Sequence, residues 1–219
     1  TDPNHCGACG NVCAFPNAQA LCVAGDCESG LCEEGWVDLN GAPEDGCEYA
    51  CVWQSEGDLP DPEGLDENCD GIDGERAHAV FVSPIGSDAG NESGAMDAPF
   101  ATIAGALAFS QQHASLTMVL VSAGTHSGPV MLVSGLTLAG GYDPDTWSRD
   151  PVAHETTIFS DTLGTSGAVR AVIADGISEP TRFTGFTVKT GNNPSPGQPV
   201  QALWARNTGL VLEIIGNRF

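Results

Sequence analysis

The cysteines constrain this chain most strongly, because all nine lie within the first 69 of its 219 residues. Large apolar residues are few before Cys51, so this part cannot bury enough surface to offset its conformational entropy without covalent or metal cross-links. The cysteines available for cross-linking are Cys6, Cys9, Cys13, Cys22, Cys27, Cys32, Cys47, Cys51 and Cys69. They predict a small, irregular, disulfide-rich domain over residues 1–51.

These cysteines could form two kinds of cross-link, zinc sites or disulfides. A zinc site could start from Cys6 and Cys9, which have the C-x2-C spacing of many zinc ligands. No second pair has that spacing and the cysteines are scattered, which favours disulfides and therefore an oxidising, extracellular compartment. The odd number of cysteines predicts either one free thiol or a partner that precedes Thr1.

Charge divides the chain after Glu75. Residues 1–75 hold 18 acidic residues and no Lys or Arg, whereas residues 76–219 hold 11 acidic and 7 basic residues. The net charge of −22 would repel nucleic acids and anionic membranes, so neither is an expected partner. No apolar run approaches the roughly 18 residues of a spanning helix, so we expect no membrane span in this chain.

Residues 52–75 are predicted to be an acidic, calcium-binding linker. The run DENCDGID at residues 66–73 places carboxylate and amide oxygens at alternating positions of a tight loop, which suits Ca2+. The loop is not an EF-hand, because its position 12 is Ala77 rather than Glu. The predicted ligands of a structural calcium ion are Asp66, Asn68, Asp70, Ile72 through its carbonyl, Asp73 and Glu75, with Asp58 and Asp61 as alternatives to Glu75. We expect Cys69, within this loop, to pair with Cys51. The competing interpretation is a solvated acidic linker.

Three stretches of the first third of the chain resemble a known group of proteins. TDPNHCGACGNVC, GCEYAC and DENCDGIDG resemble the cysteine-rich repeats and metal-binding motif of large secreted proteins from myxobacteria and their relatives. The last stretch is also similar to thrombospondin type 3 calcium repeats. The resemblance implies a secreted protein, or one on the outer surface of a Gram-negative bacterium.

After Arg76, short apolar runs alternate with glycine-rich and polar turns, a pattern typical of short strands. The first of these runs is AVFVS at residues 79–83. The helical spacing of Phe100, Ile103 and Leu107 predicts a helix from about Pro99 to His113, with Asp97 as its N-cap. The short turns between the later runs allow either an antiparallel sandwich or a solenoid of stacked coils.

The sequence of this part resembles those of proteins with one of these two architectures, the solenoid. VFVSPIGSDAGNESGAMDAPFATIAGAL resembles the entrance of pectate-lyase-like, right-handed parallel β-helices, and LTLAGGYDPDTWSRDPVAHETTIFSD and LEIIGNRF are similar to later coils. The resemblance implies that residues 76–219 form a mainly β domain, a right-handed parallel β-helix with an N-terminal capping helix. We expect further coils after Phe219, or pairing of the last strand with another copy.

Enzymes with pectate-lyase-like β-helices act on polysaccharides. They use pairs of carboxylates, or Asp clusters with calcium and an Arg base. The candidates here are Asp143, Asp145, Asp161 and Arg170, followed by Arg149, Asp150, Asp175, Glu179 and Arg182. The arginine motif of the lyases is missing and D-P-D at 143–145 also fits a plain turn, so we expect no catalytic site in this chain. A metal site at His78, His126 and His154 would need the fold to bring them together.

The favoured interpretation is a secreted or cell-surface structural or adhesive protein, stabilised by calcium and disulfides. It would act as an assembly or filament unit that binds itself, other surface proteins or polysaccharide. One alternative is a polysaccharide lyase or glycoside hydrolase with part of its site outside this chain. The other is an extracellular metal-binding protein.

Overall fold

Residues 2–193 and 195–219 are described by a computed structural model, which is mainly β. The chain divides into two compact units. The first comprises the chain up to Asp58 together with Asp66–Gly71, and the second comprises Leu59–Leu65 and Ile72–Phe219. The acidic segment 52–75 therefore contributes to both units.

Two short antiparallel ribbons form the framework of the first unit. β1 (Ala18–Val23) pairs with β2 (Asp26–Cys32), and β3 (Trp36–Val37) pairs with β4 (Tyr49–Ala50). The turn between β1 and β2 is Ala24-Gly25, with φ values of 51° and 102°. Positive φ at both turn residues matches the twist of a tight hairpin, and glycine adopts it without steric cost.

Four disulfides cross-link the first unit, which confirms the predicted chemistry. They join Cys6 to Cys22, Cys13 to Cys27, Cys32 to Cys47 and, as expected, Cys51 to Cys69. The other eight cysteines pair among themselves and leave Cys9 as an exposed, free thiol, which is one of the two outcomes expected from the odd number of cysteines. Among the described residues of this unit, the buried apolar side chains are Ala18 and five cysteines. Cross-links therefore take the place of a hydrocarbon core.

The second unit is built mainly of short strands. In chain order they are β5 (Ala79–Val82), β6 (Met118–Ser122), β7 (Gly124–Ser127), β8 (Val130–Met131), β9 (Thr137–Tyr142), β10 (Thr156–Ser160), β11 (Val169–Asp175), β12 (Thr181–Thr184), β13 (Phe186–Thr190), β14 (Val200–Arg206) and β15 (Leu212–Ile215). Among the described residues, no helix combines the length and the apolar character needed to cross a membrane.

The strands of the second unit form three separate sheets, within which the strand pairs are parallel. The orders are β13-β10-β7, β14-β11-β8 and β15-β12-β9-β6-β5. From β7 onward the chain visits the three sheets in the same order three times. Between the last two passes, paired residues are 30 apart in β10–β13 and 31 apart in β11–β14 and β12–β15, as in the side-chain pairs Arg170–Gln201 and Arg182–Glu213. Between the first two passes the separations are larger, at 32, 42 and 45 residues. Parallel pairing excludes the antiparallel sandwich for these strands.

Apolar side chains cover both faces of the five-stranded sheet. One cluster contains Val80, Val119 and Leu138 of this sheet together with Ile103 and Leu107. Since successive residues of a strand point to opposite faces, a second cluster lies on the other face. It contains Ile72, Phe81, Leu120, Tyr142 and Trp147. Burial on both faces explains why these strands are continuous apolar runs rather than alternating ones.

The single α-helix of the described chain, α1 (Ile103–Ser110), is shorter than predicted. The prediction of Asp97 as its N-cap is wrong. Thr102 caps the helix instead, since its Oγ1 accepts a hydrogen bond from the N–H of Gly105 at 3.0 Å.

The backbone of Phe100 explains the later start of α1. Its N–H donates to the carbonyl of Phe81 at 2.8 Å, and its own carbonyl accepts from the N–H of Ser83 at 2.9 Å. Phe100 is therefore extended beside β5 and cannot belong to the helix. Short 3-10 turns occur at Pro3–His5 and Arg76–His78.

Candidate functional site

The acidic loop of the first unit brings three of the predicted calcium ligands together. The N–H of Asp70 donates to Oδ1 of Asp66 at 3.1 Å and to Oδ1 of Asn68 at 3.0 Å. Nδ2 of Asn68 donates to Oδ2 of Asp70 at 3.2 Å, and the N–H of Gly71 donates to Oδ2 of Asp66 at 2.8 Å. The side-chain oxygens of these three residues are therefore neighbours, which is the first requirement of a hard-cation site.

Tyr49 lies where the negative charge of this loop accumulates. Its hydroxyl donates to Oδ2 of Asp66 at 2.8 Å. Burial, this hydrogen bond and the charges of Asp66, Asp70 and Asp58 raise the pKa of Tyr49 well above its ordinary value of 10. Asp58 is itself buried, and its Oδ2 accepts from the N–H of Glu67 at 3.3 Å. The first unit contains no Lys or Arg, so a bound cation would relieve the repulsion among these carboxylates.

A disulfide and the backbone hold this loop in place. Cys69 is bonded to Cys51, and the N–H of Gln54 donates to the carbonyl of Glu67 at 2.8 Å. At the end of the loop, Gly71 has a φ of 97°, and the side chain of Leu39 occupies the space that a Cβ would need. Both constraints require glycine at this position.

The other three predicted ligands belong to the second unit, where each has contacts of its own. Ile72 lies in the apolar cluster on one face of the five-stranded sheet. Oδ2 of Asp73 accepts from Nη1 of Arg149 at 2.9 Å. Glu75 is paired with His78. The carboxylate of Asp73 is thus bound by a cation of the protein itself.

Arg149 is the centre of a buried polar network in the second unit. Its Nε donates to the carbonyl of Gly140 at 2.9 Å, and Nη1 also donates to the carbonyl of Asp61. The hydroxyl of Tyr142 donates to the carbonyl of Asp73 at 2.6 Å. Solvent reaches neither side chain of the Arg149–Asp73 pair. A substrate in solution therefore cannot meet this guanidinium, and its place in the fold is structural.

Within the described residues, 2–193 and 195–219, one group of potential metal ligands lies close together. The sulfur atoms of Cys6, Cys13 and Cys27 lie within 4.8 Å of one another, and the described part of the acidic loop holds no equally tight group of Asp, Glu, His or Cys atoms. All three cysteines are oxidised in disulfides. Since thiolates rather than disulfides ligate metals, this group binds no ion in its oxidised form.

Asp143, the first candidate catalytic residue, forms the predicted turn. Its Oδ1 accepts from the N–H of Thr146 at 2.8 Å and from the N–H of Asp145 at 2.9 Å. The bond from Thr146 and then that from Asp145 hold the pKa of Asp143 below its ordinary value of 3.8. A catalytic general acid needs a raised pKa, so this environment opposes that role. Asp161, beyond the end of β10, is exposed.

Arg170, the remaining candidate, is engaged on the surface of β11 and β14. Its Nε donates to Oε1 of Gln201 at 2.9 Å, and its guanidinium lies 4.1 Å from the centre of the Trp204 ring. The guanidinium of Arg206 lies 5.0 Å from the same ring and binds Asp175, whose pKa this contact lowers. Two cations already contact the indole, which leaves it poorly placed to stack on a sugar.

The three candidate metal-binding histidines form no common group in the described chain. His78 contacts Glu75, and Nδ1 of His154 lies 3.6 Å from Oδ2 of Asp143. His126 is buried, and its Nε2–H donates to the carbonyl of Ser122 at 3.0 Å. Burial lowers the pKa of His126.

A cavity of about 190 Å³ lies beside Arg149 in the second unit. Its wall includes Thr184, Phe186, Thr187 and Arg218. Sites for small molecules usually have volumes of roughly 300–1,000 Å³, so this cavity is too small for a sugar chain.

No protein-family model matches this chain, and no curated protein or solved structure is significantly similar to it.

Proposed function

We propose that this chain is a secreted or cell-surface structural protein, which binds Ca2+ in its acidic loop and presents a β-helix to other copies, surface proteins or polysaccharide. The observation that carries the proposal is the cysteine core of the first unit. Its four disulfides replace an apolar core, so this oxidised form of the unit persists only where disulfides are stable. Such conditions prevail outside the reducing cytoplasm.

In this proposal the three parallel sheets are the faces of one right-handed β-helix. Support comes from the order in which the chain visits the sheets, which repeats three times, and from the spacing of 30 or 31 residues between paired strands of the last two passes. Right-handedness follows from the near-universal hand of parallel crossover connections. Each face would offer a long, flat surface, on which many weak contacts add up to firm attachment.

Calcium has a defined role in this proposal. The oxygens of Asp66, Asn68 and Asp70 are neighbours, and negative charge accumulates beside Tyr49. A divalent cation bound here would convert repulsion among these carboxylates into attraction and would stiffen the chain between Cys51 and Cys69. Extracellular calcium modules of this type bind at about 10⁻⁴–10⁻³ M, so the ion would be structural rather than a signal.

Calorimetric titration with Ca2+, and thermal unfolding with and without a chelator, test the calcium site. We expect weak, saturable binding and a lower melting temperature after chelation. The Asp66→Asn/Asp70→Asn variant should lose both effects, whereas Asp97→Asn, which removes an exposed charge from the second unit, should keep them. Absence of binding heat in the unaltered protein would leave the acidic loop as a solvated linker.

The compartment and the assembly are tested separately. Alkylation of the unfolded, unreduced protein from its natural source should label one thiol, that of Cys9. Labelling of all cysteines would contradict an oxidising compartment. Sedimentation across a range of protein and Ca2+ concentrations should reveal self-association, and a monomer throughout would remove the assembly role.

A further inference from the structure

Two disulfides of the first unit share one sulfur cluster. Cys22 and Cys27 are opposite partners in the β1–β2 hairpin, and each is bonded to a different residue of the preceding segment, Cys6 and Cys13 respectively. The sulfur atoms of Cys6, Cys13 and Cys27 lie within 4.8 Å of one another, and that of Cys22 is bonded to Cys6. Four sulfur atoms therefore occupy one small volume, most of it shielded from solvent.

Hydrogen bonds of the backbone hold the two cysteines of the N-terminal segment near each other. The N–H of Cys6 donates to the carbonyl of Asn11 at 2.9 Å, and Nδ2 of Asn11 donates back to the carbonyl of Cys6 at 2.7 Å. The N–H of Cys13 donates to the carbonyl of Pro3 at 2.8 Å. These bonds close local loops through hydrogen bonds rather than through a disulfide.

The β1–β2 hairpin holds the other two cysteines together. Cys22 and Cys27 flank its tight turn, and their separation is set by the hairpin register. We expect the thiol form of the chain to keep these two local elements, each of which carries a pair of cysteines. This division of ligands between a loop and a hairpin suits a tetrahedral metal ion.

We propose that the thiol form of this unit binds one Zn2+ through Cys6, Cys13, Cys22 and Cys27. Zn–S bonds of about 2.3 Å place the four sulfurs of a tetrahedral site about 3.8 Å apart. In the disulfide form three of these sulfurs lie within 4.8 Å of one another, and reduction would release the fourth, that of Cys22, from its bond to Cys6. Binding releases four protons as four Zn–S bonds form, and it transfers no electrons. The ion would give the unit a folded state before its disulfides form.

The disulfide and zinc states exclude each other chemically. Oxidation of the site passes four electrons to a thiol oxidant, forms two disulfides and releases the ion. In the reverse direction, one phosphine molecule reduces each disulfide by giving it two electrons. The phosphine takes an oxygen atom from water and becomes a phosphine oxide, and the two protons of that water protonate the two sulfurs. A phosphine is the appropriate reagent because dithiols compete for the metal.

Cobalt titration of the full chain, reduced by a phosphine and kept anaerobic, tests the site. Co2+ replaces Zn2+ and reports a tetrahedral thiolate site by intense visible bands and sulfur-to-metal charge transfer. We expect saturation at one equivalent and loss of the bands on addition of Zn2+. Cys13→Ser/Cys27→Ser should lose these bands, whereas the matched Cys32→Ser/Cys47→Ser variant and Cys9→Ser should retain them.

Alkylation mapping of the reduced, unaltered protein gives a second measurement that needs no variant. With Zn2+ present, Cys6, Cys13, Cys22 and Cys27 should be protected, and Cys32, Cys47, Cys51 and Cys69 should react. Absence of the cobalt bands, their persistence in Cys13→Ser/Cys27→Ser, or equal protection of all cysteines would each overturn the proposal.

Discussion

Asp73 and Arg149 form a buried ion pair at 2.9 Å although 76 residues separate them in the chain. Removal of either partner leaves the other charge buried without compensation. We expect Asp73→Asn and Arg149→Met each to lower the free energy of unfolding by about 3–5 kcal/mol. Urea denaturation followed by the fluorescence of Trp147, which packs in the same unit, provides the measurement.

The double variant Asp73→Asn/Arg149→Met distinguishes coupling between the two charges from general disruption of the fold. If the charges are coupled, the double variant should be more stable than the sum of the single losses implies. Simple additivity would show that each side chain acts through its other hydrogen bonds, such as those of Arg149 to the carbonyls of Gly140 and Asp61.

Because His126 is buried, we expect the folded protein to lose stability in mild acid. Burial lowers the pKa of His126 below the ordinary value of 6.5, so the unfolded chain takes up a proton more readily than the folded one. Its contribution is complete above pH 6.5 and is lost as the pH falls below that value. His126→Gln should flatten the stability profile in this window, where the carboxylates remain ionised.

The variant Thr102→Ala supplies the control for this titration, because it removes a helix cap and no titratable group. It should leave the pH dependence of unfolding unchanged. An identical pH profile for His126→Gln and the unaltered protein would contradict the buried, neutral state of His126.

The start of α1 depends on two side chains. Thr102 caps the helix, and the carboxylate of Asp88 accepts from the N–H groups of Ala101 at 2.9 Å and Thr102 at 3.1 Å. Thr102→Ala should cost about 1 kcal/mol of unfolding free energy, and Thr102→Ser should restore most of it because serine keeps the hydroxyl. Equal stability of the alanine and serine variants in thermal melts would argue against the cap.

Reduction should affect the two units differently. The first unit relies on four disulfides, each worth about 2–5 kcal/mol in a small domain, whereas the second has an apolar core. In metal-free buffer with reductant, limited proteolysis should cleave residues 2–58 and spare the strands after residue 79. Equal resistance of both parts would contradict a disulfide core.

Much of the second unit was accessible from the sequence because its strands are continuous apolar runs. The segment 79–83 predicts β5 almost to the residue, since Val80 and Phe81 are buried on opposite faces. The helix prediction was right for Ile103–Ser110 and failed at residues 99–102, where apolar spacing fits a helix but Phe100 pairs with β5. Helical periodicity indicates which side chains are buried, but it does not reveal that the backbone of a residue is hydrogen-bonded to a neighbouring strand.

The candidate site was only partly accessible, because its decisive contacts are long-range. The local spacing of Asp66, Asn68 and Asp70 was enough to predict that their oxygens are neighbours. The same pattern gave no sign that Asp73 binds Arg149. Nor could cysteine spacing reveal which two disulfides share one cluster, since the pairing depends on the β1–β2 hairpin.

The spacing between the last two passes of the chain bears on how this protein can vary in length, because paired residues are 30 apart in β10–β13 and 31 apart in β11–β14 and β12–β15. Excising one such repeat between equivalent points of these neighbouring strands would bring matching partners together again, whereas an excision of a few residues would misalign all three sheets at once. Extra residues are tolerated in the turns, as in the long connection from β9 to β10, after which Thr156 still pairs with Gly124. We therefore expect longer and shorter versions of this unit to differ by whole repeats, as internal duplication would produce.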